Sequence, residues 1–164
     1  MTVRSPAVLP AVLPAVLFVC MGNICRSPLA EAAFRARAQA AGLQVTVDSA
    51  GTDGWHAGEP PDRRAQAVAL GHGIDISGYR ARQAEPEDFS RFTHIFALDH
   101  SNLKRLLQIA PREPAAHLAL LLDLVEGAQG QSVADPYYGD IEGFEATWRQ
   151  VDLAAAALVA RLQG

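Results

Sequence analysis

Cys20 and Arg26 are separated by five residues in the segment Cys20-Met-Gly-Asn-Ile-Cys-Arg26-Ser27. An apolar run precedes the segment, and Ser27-Pro28, a helix-start pair, closes it. A loop in that place has a definite chemistry. The amides of Met21, Gly22, Asn23, Ile24, Cys25 and Arg26 can curl around a tetrahedral oxyanion, and the helix start adds partial positive charge. Gly22 opens backbone torsions closed to other residues. The Arg26 guanidinium can take two anion oxygens in parallel. The same positive field favours a thiolate at Cys20, and the Ser27 hydroxyl sits where it can donate to that sulfur. One loop can therefore bind a phosphate and attack it in line.

A phosphoryl group leaving an alcohol or phenol needs a proton on the departing oxygen. That proton calls for a carboxylic acid on another loop. Asp135, in Asp135-Pro-Tyr-Tyr138, is the candidate: Pro136 stiffens the segment, and Tyr137 and Tyr138 can line a slot for an aromatic substrate. The same carboxylate can then activate water to release the cysteinyl phosphate.

These groups need elements to carry them. Residues 15–19 form a continuous apolar run, as in a strand buried on both faces. A helix is expected from Ser27 to about Ala41, with Glu31 in its first turn and Gly42 as its stop. Residues 43–47 alternate and predict a second strand, and 48–61 a long loop. A helix follows over 62–70, an irregular stretch over 78–86, a buried strand over 93–98 and a helix over 101–109. Residues 117–122 predict a last strand, 127–139 a second long loop, and 144–162 a closing helix. Strands alternating with helices predict an α/β fold: a three-layer, doubly wound arrangement with a central four-stranded parallel sheet and helices on both faces. Ligands in such sheets sit at the carboxyl ends of strands, where the strand order switches. The loop after the first strand is in the right place.

The tetrapeptide Pro-Ala-Val-Leu repeats three times over residues 6–17. The uncharged stretch has the apolar character of a signal-peptide centre. Prolines every four residues break a helix, however, and cleavage after the stretch would remove the first strand. It is also too short and too rich in proline to cross a membrane as a helix. Residues 1–14 are therefore expected to be a low-complexity leader, mobile, with residues 2–12 dispensable, ahead of a single domain over 15–164.

The chain has 164 residues and a formal net charge of −4. Apolar residues make up 49%, enough to exclude disorder for its bulk. The net negative charge excludes a nucleic-acid binder that neutralises a phosphate backbone, so any phosphate must be held at a focused site. Two cysteines make no secreted disulfide framework and point to a cytoplasmic compartment. They also complete no four-coordinate metal site without an ordered set of histidines, and the five histidines are scattered. No metal or cofactor is expected. Cys25 is a candidate resolving thiol: a sulfenic acid on Cys20 would be trapped as a Cys20–Cys25 disulfide.

Residues 20–31, with Asp135-Pro-Tyr-Tyr-Gly-Asp140, resemble the low-molecular-weight protein tyrosine phosphatase family. The likeness runs on through Asp48-Ser-Ala-Gly-Thr, Trp55 and His56, His72-Gly-Ile, and Arg80-Ala-Arg-Gln83 to Asp99 and Asn102. It implies Cys20 as nucleophile, Arg26 as phosphate clamp, and Asp135 as general acid and then base. It implies Asn23 and Ser27 as supports of the loop and thiolate, and Asp99 as a support acting through Arg26. Trp55 and Tyr137 would wall the phenyl ring, and Tyr138 would pack beside them or serve as a modification site. The reversible disulfide is also in keeping with the resemblance. One position departs from the family: Tyr79 stands where a histidine is frequent, a residue expected in the hydrogen-bond network behind Asn23 and Ser49.

The expected activity is hydrolysis of phosphotyrosine in a protein substrate by a monomer, with a tyrosine kinase as a candidate partner and no nucleic acid or membrane involved. Relatives that act on phosphoarginine tend to carry threonine where this chain has Ile24. An isoleucine and an aromatic at Trp55 suit a phenyl ring, and a deep slot disfavours phosphoserine. Three alternatives stay open: a phosphoarginine phosphatase, a thiol-dependent arsenate reductase, and a phosphotyrosine reader without turnover. Arsenate reduction would need an external thiol, since no cysteine follows Cys25.

Overall fold

A computed structural model of the chain describes residues 13–164. Four strands, β1 (Ala15–Cys20), β2 (Thr46–Gly51), β3 (His94–Ala97) and β4 (His117–Leu120), form one sheet in the order β2-β1-β3-β4. All three pairings are parallel. The helices are α1 (Arg26–Ala40), α2 (Arg63–Gly71), α3 (Asp88–Arg91), α4 (His100–Ile109) and α5 (Ile141–Gln163). The α/β architecture is the one the alternation predicts.

Successive residues of β1 point to opposite faces and enter two separate cores. Val16, Phe18 and Cys20 join the core under α1, α2 and α5. Leu17 and Val19 join the one that holds Phe89 of α3 and Leu106 of α4. Phe18 meets Phe34 of α1 edge-on at 5.8 Å and stacks on Phe96 of β3 at 6.1 Å. Each such ring, fully buried, contributes about 1.5–3 kcal/mol of transfer free energy. This two-sided burial is why β1 reads as unbroken apolar sequence. Its carboxyl end lies at the switch in strand order, between β2 on one side and β3 on the other.

The second strand departs from expectation. It spans Thr46–Gly51, not 43–47, and the following loop starts later than residue 48. Pairing decides this: Ala15 to Cys20 align one-to-one with Thr46 to Gly51. Asp48 and Ser49 look like loop residues but occupy an edge strand, where one side of the ladder is free. Gly51 closes the strand because nothing larger fits: a Cβ there would lie 2.6 Å from the Met21 carbonyl oxygen.

Other boundaries shift for capping reasons. The closing helix begins at Ile141, because the Asp140 side chain accepts from the Gly143 amide. The last strand ends at Leu120 and passes into a 3-10 turn over Leu121–Leu124. Glu31 lies beyond the first turn of α1 and is buried rather than capping. The expected leader falls outside the described residues except at Leu13 and Pro14, and the Pro14 carbonyl accepts from the Thr46 amide. Among the described residues no helix is long and apolar enough to cross a membrane.

Candidate active site

The loop between β1 and α1 carries Cys20 at its start and Arg26 at its end, which is the first residue of α1. Together they help line a pocket of about 220 Å³ at the carboxyl edge of the sheet. Met21, Gly22, Ile24 and Cys25 complete its floor, and Trp55, His56, Asp135, Tyr137 and Tyr138 surround its mouth. Asn23 turns the loop with φ 59°, the one non-glycine in the left-handed region among the described residues. An asparagine tolerates that conformation better than most side chains.

Asn23 also organises the loop from behind. Its Nδ2 donates to Ser27 Oγ at 2.8 Å and to Ser49 Oγ at 2.9 Å. Its Oδ1 accepts from the Arg82 amide at 3.1 Å. Both serine hydroxyls thus accept from Asn23 and keep their own protons to give away. Ser49 Oγ donates to Glu31 Oε1 at 2.7 Å, and Arg35 Nη2 donates to Glu31 Oε2 at 2.7 Å. Ser27 Oγ lies 3.0 Å from Cys20 Sγ and 3.4 Å from the Ala50 carbonyl, so its hydroxyl has two acceptors within reach and the sulfur is the nearer. The network runs outward from Asn23 along two arms, one ending on Glu31 and the other bringing the Ser27 hydroxyl against the Cys20 sulfur. Burial lifts the Glu31 carboxyl above the ordinary range, against the pull of Ser49 and Arg35. The relay therefore closes on Glu31 and Arg35. Tyr79, half-buried, lies at that far end: burial and the Glu31 charge raise its phenol while Arg35 opposes.

Arg26 is held from one side. Its Nη1 donates to Asp99 Oδ2 at 2.7 Å and to the Val133 carbonyl at 3.0 Å. Asp99 caps α4 with its other oxygen, accepting from the Asn102 amide at 2.7 Å. Nε and Nη2 of Arg26 make no hydrogen bond to protein among the described residues, although the side chain is only 4% exposed. A buried guanidinium with idle donors at a pocket floor is arranged for an anion. Burial works against its charge, but Cys20, Asp99 and Asp135 outweigh that and keep it protonated.

Asp135 Oδ2 stands 3.7 Å from Arg26 Nη2 across the pocket, and its Oδ1 accepts from the Tyr137 amide. Trp55 is 86% exposed, and Tyr138 is 94% exposed with its ring edge-on to Tyr137. Neither is core; both are rim residues. Cys20 and Cys25 are free and buried. Burial, with Asp62, Cys20 and Asp135 nearby, pushes the Cys25 thiol far up, so Cys25 stays protonated where Cys20 faces a donor and a cation.

The pocket thus brings a thiol, an arginine and an opposed carboxylate together at the carboxyl end of β1. The sequence matches the family model described as low molecular weight phosphotyrosine protein phosphatase over residues 15–164. The chain belongs to that family. A low molecular weight protein-tyrosine-phosphatase of Streptomyces coelicolor is 46% identical over 151 residues, covering 89% of this chain and 92% of that protein. The structure of YfkJ from Bacillus subtilis superposes with a TM-score of 0.86 at 39% identity, over 94% of this chain and 97% of that one. A Drosophila arginine phosphatase superposes equally well, TM-score 0.86, at 32% identity over 91% of this chain and 98% of its own. The proteins named as phosphotyrosine phosphatases are hydrolases, and this phosphatase-family chain carries the whole constellation in one pocket.

Four contributors escaped the sequence reading. Glu31 and Arg35 anchor the relay, the Arg82 amide holds Asn23, and the Val133 carbonyl holds Arg26. The buried Glu31 is visible as a lone acid on an otherwise small and apolar helix face, but nothing in the sequence names its partner. His56 lines the pocket with its Nδ1 bound to Glu59.

Proposed function

We propose that this chain hydrolyses phosphotyrosine in proteins through a phosphocysteine intermediate. The observation that carries the reading is the pair of Asp135 and Arg26 at 3.7 Å on one pocket whose floor holds Cys20. The phosphate dianion takes the loop amides and the idle nitrogens of Arg26. The Cys20 thiolate attacks phosphorus in line, forming the S–P bond as the P–O bond to the phenol breaks. Protonated Asp135 gives its proton to the departing phenolic oxygen. Its carboxylate then takes a proton from water as that water attacks phosphorus, the S–P bond breaks, and Cys20 returns as the thiolate held by Ser27. Arg26 spans the equatorial oxygens in both steps, where charge is spread most.

Ile24, Trp55 and Tyr137 give the slot apolar walls, which supports a phenyl ring over a guanidino group or a short serine side chain. On this reading the partners are phosphotyrosine proteins, with a tyrosine kinase as counterpart, and the chain works as a cytoplasmic monomer. Peroxide would oxidise the Cys20 thiolate to a sulfenic acid, and Cys25 would condense with it, releasing water and forming a disulfide.

A panel of phosphotyrosine, phosphoarginine and phosphoserine peptides tests the reading, with wild type, Cys20→Ser and Asp135→Asn. Turnover of phosphotyrosine alone, lost in Cys20→Ser, is expected. Preference for phosphoarginine would move the chain to the activity named for its Drosophila neighbour, and binding without turnover in wild type would make it a reader.

A further inference from the structure

Arg64 belongs to neither catalytic loop, yet it touches both sides of the site. Asp62 caps α2 with its side chain on the Arg64 amide, and the Asp62 backbone amide donates to the Ile24 carbonyl of the nucleophile loop at 2.8 Å. The Asp62 carboxylate also grips the Arg64 guanidinium, taking Nε on Oδ1 and Nη2 on Oδ2, each at 3.0 Å. The remaining donors of Arg64 reach the turn that carries Asp135. Nη2 donates to the Tyr137 carbonyl at 2.9 Å and Nη1 to the Gly139 carbonyl at 2.8 Å. The guanidinium lies 4.6 Å over the Phe144 ring and 5.7 Å from the Tyr137 ring centre. Within the turn, Asp135 Oδ1 accepts from the Tyr137 amide, and the Pro136 carbonyl from the Gly139 amide. Among the described residues, the only hydrogen bonds that reach the 135–139 turn from another element are the two from Arg64. A planar fork stacked on a buried ring holds them in a direction that a lysine cannot reproduce.

We propose that Asp62 and Arg64 are a positioning pair that sets the turn carrying Asp135 in register with the Cys20 loop. The pair touches no reacting atom. It fixes the distance between proton donor and nucleophile through one side-chain strut, with the Asp62 amide on Ile24 at one end and the Arg64 fork on Tyr137 and Gly139 at the other. The proposal rests on Asp135 as the proton donor, so its test must separate the two.

Proton donation matters for a poor leaving group and little for a good one. Arg64→Met keeps the stem over Phe144 and removes the fork. It is expected to lower kcat/KM on phenyl phosphate by about tenfold to hundredfold, since misplacing a catalytic group by ~1 Å costs on that scale. On dinitrophenyl phosphate its kcat/KM, which ends at formation of the phosphocysteine and so leaves out the base role of Asp135, should stay within about twofold of wild type, and inhibition by inorganic phosphate should not change, because the nucleophile loop is intact. Arg64→Lys should fall between, and it carries the comparison if the methionine variant melts below the assay temperature. In an Asp135→Asn background Arg64→Met should add no further loss on phenyl phosphate. A graded loss in Asp135→Asn beside an even loss, or none, in the Arg64 variants overturns the proposal alone. An even loss in Asp135→Asn itself overturns the proton-donor reading and the proposal with it.

Discussion

Asp99 and Arg26 meet at 2.7 Å, a helix-capping carboxylate on one side of the sheet switch gripping the guanidinium that opens α1 on the other. The contact uses up one nitrogen of Arg26 and turns the rest of the fork to the pocket. Asp99→Asn keeps an oxygen for the Asn102 amide and removes the charge. Breaking a fully buried pair costs ~3–5 kcal/mol, and Asp99 retains some solvent, so a loss of about 2–3 kcal/mol in urea unfolding is expected. The inhibition constant for inorganic phosphate should rise by about tenfold, the worth of one charge-assisted hydrogen bond. An unchanged constant would mean that Arg26 is aimed without Asp99.

Gly51 is where β2 comes closest to the nucleophile loop. A Cβ there meets the Met21 carbonyl oxygen at 2.6 Å and the Asp53 carbonyl oxygen at 3.0 Å, and both are backbone. Gly51→Ala must therefore move the loop. A destabilisation of about 1–3 kcal/mol is expected from overpacking, together with weaker phosphate inhibition. Stability loss without any change in phosphate inhibition would show that the strain is absorbed on the β2 side.

Cys25 is buried and held protonated, while Cys20 has Ser27 and Arg26 beside it. Peroxide is expected to modify Cys20 first and Cys25 only in the closing step, which then quickens as pH rises. Mass spectrometry should show a loss of two hydrogens in wild type, with activity restored by dithiothreitol. Cys25→Ser should instead lose activity irreversibly on prolonged exposure. Equal recovery of both proteins counts against Cys25 as the resolving thiol.

His94 lies at the far end of the sheet from the site. Burial, His117 on β4 and Arg161 on α5 all lower its pKa below the ordinary histidine value. The unfolded chain therefore takes up this proton first, near pH ~6.5. The contribution of His94 to stability is complete above that value and is lost as pH falls through its lower folded value. Urea midpoints of wild type and His94→Gln should converge, or cross in favour of the variant, between about pH 7.5 and 5.5. A constant gap over that window would remove the linkage.

What was legible in the sequence is what is local. The apolar run of β1, the loop from Cys20 to Ser27 and the helix after it are contiguous, so their order and placement follow from residue type and spacing. Asp135 could be named because a turn acid beside two tyrosines is a local signal too. The bounds of β2 were not legible, since a strand of Thr, Val, Asp, Ser, Ala and Gly is defined by its pairing with β1 and not by its own pattern.

Sequence alone determined the groups on offer: a cysteine and an arginine on one strand–loop–helix, and an acid on a distant turn. Tertiary structure alone decided how they are aimed. The relay from Arg35 and Glu31 through Ser49, Asn23 and Ser27 joins α1, β2 and the loop, and the grip on Arg26 comes from residues 73 and 107 positions away. Such contacts leave no periodicity to read, because each is a single hydrogen bond between elements that only the parallel sheet brings together.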